Sequence, residues 1–189
     1  NAAQYQADRG RIFLAGHSTG CQKSIYWAAK KGTGVKGIIL LAPISDYAAE
    51  KKLGGAKKIA AAKKLAQKLM TAGKQHQLVP STAGDWYLMA DAQRFLSLYS
   101  GESQEEIFTY WAPERVPKTL RSVKLPILAL LAEKDEYRDR PAKRMADWFA
   151  EHLKIGDRIV VIPKAGHSFA GAEKTIAQHM HKFMKEASR

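Results

Sequence analysis

Four short apolar runs separated by helical stretches constrain this chain more than any other feature. They are Arg11-Ile12-Phe13-Leu14-Ala15, the stretch from Val35 to Ala42, Leu125 to Leu131, and Arg158-Ile159-Val160-Val161-Ile162. Each has the length and composition of a buried strand. Residues 21–31 follow the first run with helical character. A helix from about Pro141 places Met145, Trp148, Phe149 and Leu153 on one face, and proline suits its first turn. A last helix, from about Ala172 to Glu186, buries Ile176, Met180, Phe183 and Met184. Residues 2–8 read as the end of a helix closed by Gly10. Apolar strands alternating with helices predict a parallel sheet covered on both faces.

Residues 45–122 differ in kind. From Ala56 to Met70, Ile59, Ala62, Ala66 and Leu69 share one helical face, with Lys57, Lys64 and Lys68 off it. Tyr87 to Tyr99 is a second helical candidate. Gly73, Pro80, Gly84, Gly101, Pro113 and Pro117 break up the remainder, and no strand pattern is visible in it. The expectation is a core of residues 1–44 and 123–189 carrying a helical cap or lid of residues 45–122.

The remaining composition mostly excludes. The chain has 189 residues, one domain's worth, with 46% hydrophobic and 26% charged residues, which rules out a disordered tail, a collagen-like chain and a disulfide miniprotein. Cys21 is the single cysteine, so no intrachain disulfide forms and a cytoplasmic location is the default. No apolar run approaches the ~18 residues of a membrane span, and the polar first ten residues lack the core of a signal peptide. The formal net charge is +13. Eight lysines and no acid lie between Lys51 and Lys74. Without zinc-finger, helix-turn-helix or RNP-like patterns, that charge reads as a solvated basic face, not as a nucleic-acid or membrane partner. The chain starts at Asn1, and its strongest motif arrives by residue 16, as expected of a partial or processed chain.

That motif is Gly16-His17-Ser18-Thr19-Gly20, a G-x-S-x-G between a strand and a helix. The chain must turn sharply there, which strains the serine backbone and lifts its hydroxyl above the strand end. The backbone N–H of Thr19 is then placed to bind an oxyanion. A nucleophilic serine needs a base, and the base an orienting acid, in the chain order serine, acid, histidine. The loop after the third strand offers Glu133, Asp135 and Glu136. Asp135 is expected to be the acid, with the other two as alternatives, while Asp139 belongs ahead of the next helix. His167 follows the last strand beside Gly166 and is the expected base. His17 adjoins the serine but should face the wrong way for this role. His152, His179 and His181 lie on helices and His76 in the insertion. His179 and His181 are two apart and share no helical face, so no metal site is expected. Cys21, near a helix start, reads as a packing residue in preference to a redox-sensitive thiol.

These residues resemble the α/β-hydrolase superfamily. LAGHSTGCQ at 14–22, LLAPISD at 40–46, RFLSL at 94–98 and EKDEY at 133–137 are similar to a small branch related to siderophore esterases. The resemblance runs over nearly the whole chain from residue 11, more loosely in the lysine-rich stretch. It implies Ser18 as nucleophile, Asp135 as acid and His167 as base, with no cofactor. It also implies a departure. Four strands usually precede the one leading to the serine, and here none does, so the loop that donates the second oxyanion N–H is missing. The fold expected is thus the C-terminal part of an α/β-hydrolase sheet with a helical cap insertion. The strand at 11–15 would have one neighbour and an open edge, to be filled by an N-terminal segment or a second chain.

The function expected is a serine hydrolase acting on a small-molecule carboxylic ester through an acyl-enzyme. The alternatives are acyl transfer or lactone or amide hydrolysis on the same triad, or a non-catalytic binding protein that retains the fold. His17, Trp86, Tyr87, Tyr110 and Trp111 are the candidates for substrate contact, and the basic segment would steer an anionic acyl group.

Overall fold

The computed structural model describes residues 8–79 and 90–188. Its centre is a four-stranded parallel sheet. Strands β1 (Phe13–His17), β2 (Gly37–Leu41), β5 (Ile127–Ala132) and β6 (Arg158–Ile162) lie in the order β1-β2-β5-β6. The register pairs Phe13 with Gly37, Ile38 with Ile127, and Leu128 with Arg158. Right-handed crossovers are the rule for parallel neighbours, and helices supply two of them here: α1 (Thr19–Lys30) joins β1 to β2 and α6 (Ala142–His152) joins β5 to β6, while α7 (Glu173–Ala187) follows β6.

Side chains alternate across each strand, and the sheet therefore feeds two cores. Ile38, Leu40, Ile127, Ala129 and Leu131 join Ile25 of α1 and Met145 and Phe149 of α6. Ile39, Leu128, Leu130, Ala132 and Ile162 face the opposite way, against Phe183 of α7. All six residues of β5 are buried, as a strand with helices on both faces requires. Burying each large apolar side chain contributes roughly 1.5–3 kcal/mol, which makes these two layers the main source of stability. At the other side of the sheet order β1 has β2 as its only strand partner among the described residues, and Ile12 just before it is exposed.

Between β2 and β5 lie α2 (Asp46–Gly54), α3 (Ala56–Thr71), the two-residue strands β3 (Leu78–Val79) and β4 (Ala90–Asp91), then α4 (Ala92–Tyr99) and α5 (Lys118–Ser122). Ser45 caps α2 through the Ala48 N–H, and Asp91 caps α4 through the Arg94 N–H. Ile59, Ala62, Ala66 and Leu69 are the buried face of α3. The expectation of no strand in this stretch is corrected: β3 and β4 pair antiparallel as a separate small sheet. Two residues per strand are too few to leave a period-two pattern, and Leu78 is exposed while Val79 is buried. The second helix starts at Ala92 behind its Asp91 cap, and positions 80–89 lie outside the described residues. So do positions 1–7, which hold most of the expected helix end; Gly10 sits in a turn, its N–H donating to Asp8.

Candidate active site

The site is assembled at the carboxyl ends of β1, β5 and β6. Ser18 stands between β1 and α1 with φ 55° and ψ −128°, a left-handed backbone rarely adopted outside glycine. Such strain costs roughly 1–3 kcal/mol and persists only where the surroundings hold it. Here the Ser18 N–H donates to Leu41 O at 3.0 Å, and Ser18 O accepts from the Cys21 N–H at 2.9 Å. A Cβ on Gly16 would come within 2.4 Å of Gly20 O and 2.6 Å of Ser24 Oγ, so only glycine fits there. A Cβ on Gly20 would meet nothing within 4 Å, so the second glycine of the motif is not demanded by space.

Thr19 opens α1, and its backbone N–H has no acceptor within the helix. Cys21 is fully buried, and its thiol donates to Gly16 O and Leu41 O. Burial pushes that thiol far above its ordinary range, which leaves it a packing residue.

Asp135, 4% exposed, follows β5, and His167, 8% exposed, follows β6. Asp135 Oδ2 lies 2.8 Å from His167 Nδ1, while Asp135 Oδ1 accepts from the Tyr137 N–H at 2.9 Å. A carboxylate on Nδ1 assigns the proton there and leaves Nε2 as the free acceptor. The other two carboxylates of that loop serve as splints between it and the β6 loop. Glu133 accepts from the Lys164 N–H at 2.7 Å, and Glu136 accepts from the His167 N–H at 3.0 Å. Lys164 and Phe169 both take positive φ, so the loop bearing the histidine is itself tightly bent. The ring of Tyr137 packs edge-on to that of His167 at 4.7 Å.

The elbow meets this pair through His17. Its ring lies 4.8 Å from that of His167, and its Nε2–H donates to His167 O at 2.9 Å, so the loop after β6 reaches the end of β1 and that ring nitrogen is engaged as a donor. Among the described residues no hydrogen bond joins Ser18 Oγ to His167 Nε2; such bonds are often long before substrate binds.

The aromatic candidates separate. Tyr110 is 2% exposed. Its hydroxyl accepts from the Ser45 N–H at 2.8 Å, and its ring packs on Trp148. It is therefore a core residue, corrected from a substrate contact, because Ile107, Phe108 and Tyr110 all join the main apolar cluster. Trp111 is half-buried against Tyr47, with ring centroids 4.5 Å apart. Both line an open cleft of about 230 Å³ with Lys51, Lys52 and Arg140. Trp86 and Tyr87 lie outside the described residues.

Sequence reasoning passed over three buried polar residues beside the elbow. Asp46 accepts from Thr19 Oγ1 at 2.7 Å and from Gln22 Nε2 at 2.8 Å, and Gln22 Oε1 accepts from the Ile107 N–H at 2.7 Å. Burial raises Asp46 above the usual carboxylate range, while Thr19, Gln22 and Arg94 pull it back. Glu106, the third, is pushed up to about 7, chiefly by burial. Asp46 stands directly after a capping serine, where an acid reads as an ordinary helix start. Among the described residues no group of three or more histidine, cysteine or acidic side chains could hold a metal, and no helix is long and apolar enough to cross a membrane.

The family model described as "Protein of unknown function (DUF1749)" matches residues 2–185. None of the curated proteins matches the chain. Among solved structures it is similar to a thermophilic esterase from Thermogutta terrifontis, with a TM-score of 0.54, 16% identity, and coverage of 95% of this chain and 66% of that one. A highly thermostable carboxyl esterase from Bacillus coagulans gives 0.52 at 13% identity, covering 100% and 68%. A bacterial membrane phospholipase A gives 0.52 at 19% identity, covering 98% and 60%. What is shared at these identities is the α/β-hydrolase fold, a parallel sheet with flanking helices. The present chain spans roughly 60–68% of the length of these three.

Proposed function

The chain belongs to the DUF1749 family, and on its α/β-hydrolase frame we propose that it is a serine hydrolase acting on carboxylic esters. One observation carries the reading: Asp135 and His167 stand 2.8 Å apart after β5 and β6, with a left-handed serine after β1 at the same end of the sheet, where His17 reaches His167 O. In this mechanism His167 Nε2 takes the proton of Ser18 Oγ as that oxygen attacks the ester carbonyl. Asp135 holds the imidazole and stabilises its charged form. The Thr19 N–H supplies one oxyanion donor, a contribution of roughly 3–4 kcal/mol per donor where measured. The imidazolium then protonates the leaving alkoxide, and water activated by His167 releases the acyl group. No cofactor enters the scheme.

Residues 45–122 act as the cap over a core of 1–44 and 123–189. Trp111, with His17 and, from sequence, Trp86 and Tyr87, contacts substrate. Lysines of α2 and α3 steer an anionic acyl group, in keeping with a siderophore-esterase-like branch. A preceding segment or a second chain pairs along β1, whose apolar edge is otherwise an aggregation hazard. The working location is the cytoplasm.

The test is turnover of p-nitrophenyl butyrate against pH. The account expects kcat/KM to fall on acidification, because only a neutral His167 can accept the proton, and Ser18→Ala to lose at least ~10³-fold in kcat. Full activity in Ser18→Ala would end the reading.

A further inference from the structure

We propose that His17 is a positioning residue for the base: by donating from Nε2 to the main-chain oxygen of His167, it braces the loop after β6 against the strand that carries Ser18. The consequence for turnover rests on the serine-hydrolase reading above; the brace itself does not.

The sheet order sets the problem. Ser18 follows β1 and His167 follows β6, with β2 and β5 between those strands. Neighbouring strands lie about 4.8 Å apart, so the ends of β1 and β6 are separated by three spacings, about 14 Å. A base must come within hydrogen-bond reach of the group it serves, so the loop after β6 has to cross the ends of β5 and β2. Lys164 and Phe169, both at positive φ, bend that loop. Ala165 and Phe169 are buried in the apolar layer shared with α7 and anchor its flanks.

Among the described residues, four side chains hold His167. Its N–H donates to Glu136 Oε2 at 3.0 Å, its Nδ1 lies 2.8 Å from Asp135 Oδ2, and the Tyr137 ring packs edge-on to it at 4.7 Å. These three partners all belong to the loop after β5. They orient the base towards its acid and leave its distance from the nucleophile open. The fourth partner is His17, which ends β1 and immediately precedes Ser18. Its Nε2 lies 2.9 Å from His167 O, and the two rings are 4.8 Å apart. A carbonyl oxygen only accepts, so the ring nitrogen facing it carries a proton. His17 is exposed, and the hydrogen bond and the ring contact, not burial, place its ring.

The nucleophile's side of the brace is already stiff. The Ser18 N–H donates to Leu41 O at 3.0 Å, and the serine sits at a strained backbone angle. A tie one residue before it therefore sets the separation between a fixed serine and a base carried on a loop. A misplacement of about 1 Å at such a site costs up to about 10²-fold in rate. Proton transfer from the serine belongs to the transition state, so loss of the brace lowers kcat and leaves KM in place.

The experiment compares the intact chain with His17→Leu, which has no side-chain donor, and His17→Gln, which keeps an N–H at similar reach. In the wild type, a long-range proton–nitrogen correlation spectrum should show His17 as the Nε2–H tautomer. The His167 carbonyl-carbon resonance should move in His17→Leu and return towards the wild-type position in His17→Gln. With p-nitrophenyl butyrate, His17→Leu should lose about 10²-fold in kcat at unchanged KM, with fluorophosphonate labelling of Ser18 slowed in proportion, and His17→Gln should recover about tenfold of that loss. A rise in KM with labelling unchanged would make His17 a substrate contact alone and overturns the proposal. So do equal losses in the two variants, or a loss in His17→Leu as deep as in His167→Ala, which would make His17 the base itself. A wild-type His17 in the Nδ1–H form overturns it even if neither variant folds. The expected tautomer and carbonyl shifts in a protein whose Ser18 is never labelled leave the brace standing and count against the hydrolase reading alone.

Discussion

The sheet and the insertion are held together by different mixtures of apolar packing and polar links. The sheet owes its cohesion to continuous apolar strands, all six residues of β5 being buried between two helical layers. The insertion has a small cluster of its own around Phe95, Tyr99, Leu69 and Val79. Much of the rest is polar: Arg94 on Glu105, Lys63 on Glu102, and Arg115 on Gly101 O. It is also tied into the main core, where Ala48, Ile107, Phe108, Tyr110 and Leu120 pack with Ile25 and Phe149, and polar links are added to this, from the Ile107 N–H to Gln22 and from Lys52 Nζ to Glu136 O at 2.8 Å. Burial is non-directional and tolerates small shifts, whereas these ties depend on angle, charge and pH. Asp135 and His167 therefore stand on the part held chiefly by burial, while the insertion adds angle- and charge-dependent links to its apolar contacts.

The sharpest way to break this comparison is to make the same truncation in both halves. Phe149→Ala, in the main core, should cost about 3–5 kcal/mol and lower the stability of the whole chain. Phe95→Ala should instead loosen α3 and α4 while β5 keeps its protection. Native-state amide exchange distinguishes them. Equal loss of protection in β5 and α4 for both variants would mean that the two regions unfold as one. A smaller effect comes from Arg94→Gln. The Arg94–Glu105 pair is about one-third exposed on both sides, so its loss should lower stability by about 0–1 kcal/mol, less at high salt. Melting temperatures at two ionic strengths test this, and a salt-independent loss of several kcal/mol would show the tie to be buried in function if not in surface.

The same contrast explains what the sequence disclosed. Runs such as Leu125–Leu131 announce a buried strand because burial on both faces leaves only one kind of residue in them. The Gly16–Gly20 motif is legible because its backbone strain restricts what can stand there, and Asp135 and His167 because strand ends deliver them. In the insertion the α3 face of Ile59, Ala62, Ala66 and Leu69 was legible from its helical spacing, whereas burial outside regular helices left no comparable trace. Tyr110, in the mixed run Thr109-Tyr110-Trp111-Ala112, looks as exposed as its neighbours, yet it is core. Asp46 and Glu106 read as ordinary surface acids, since a sequence shows a charge without showing whether water reaches it. The contact of His17 with His167 could not be read from sequence, because it depends on a loop that arrives about 150 residues later.

The account turns on Ser18 being a nucleophile activated by the Asp135–His167 pair. Its most direct measurement is peptide mapping of the folded chain after treatment with a fluorophosphonate, which records covalent attack without any choice of substrate. The result predicted is one adduct, on Ser18, formed at least ~10³-fold more slowly in His167→Ala. An unmodified Ser18 in folded protein, or equal labelling with and without His167, would contradict it.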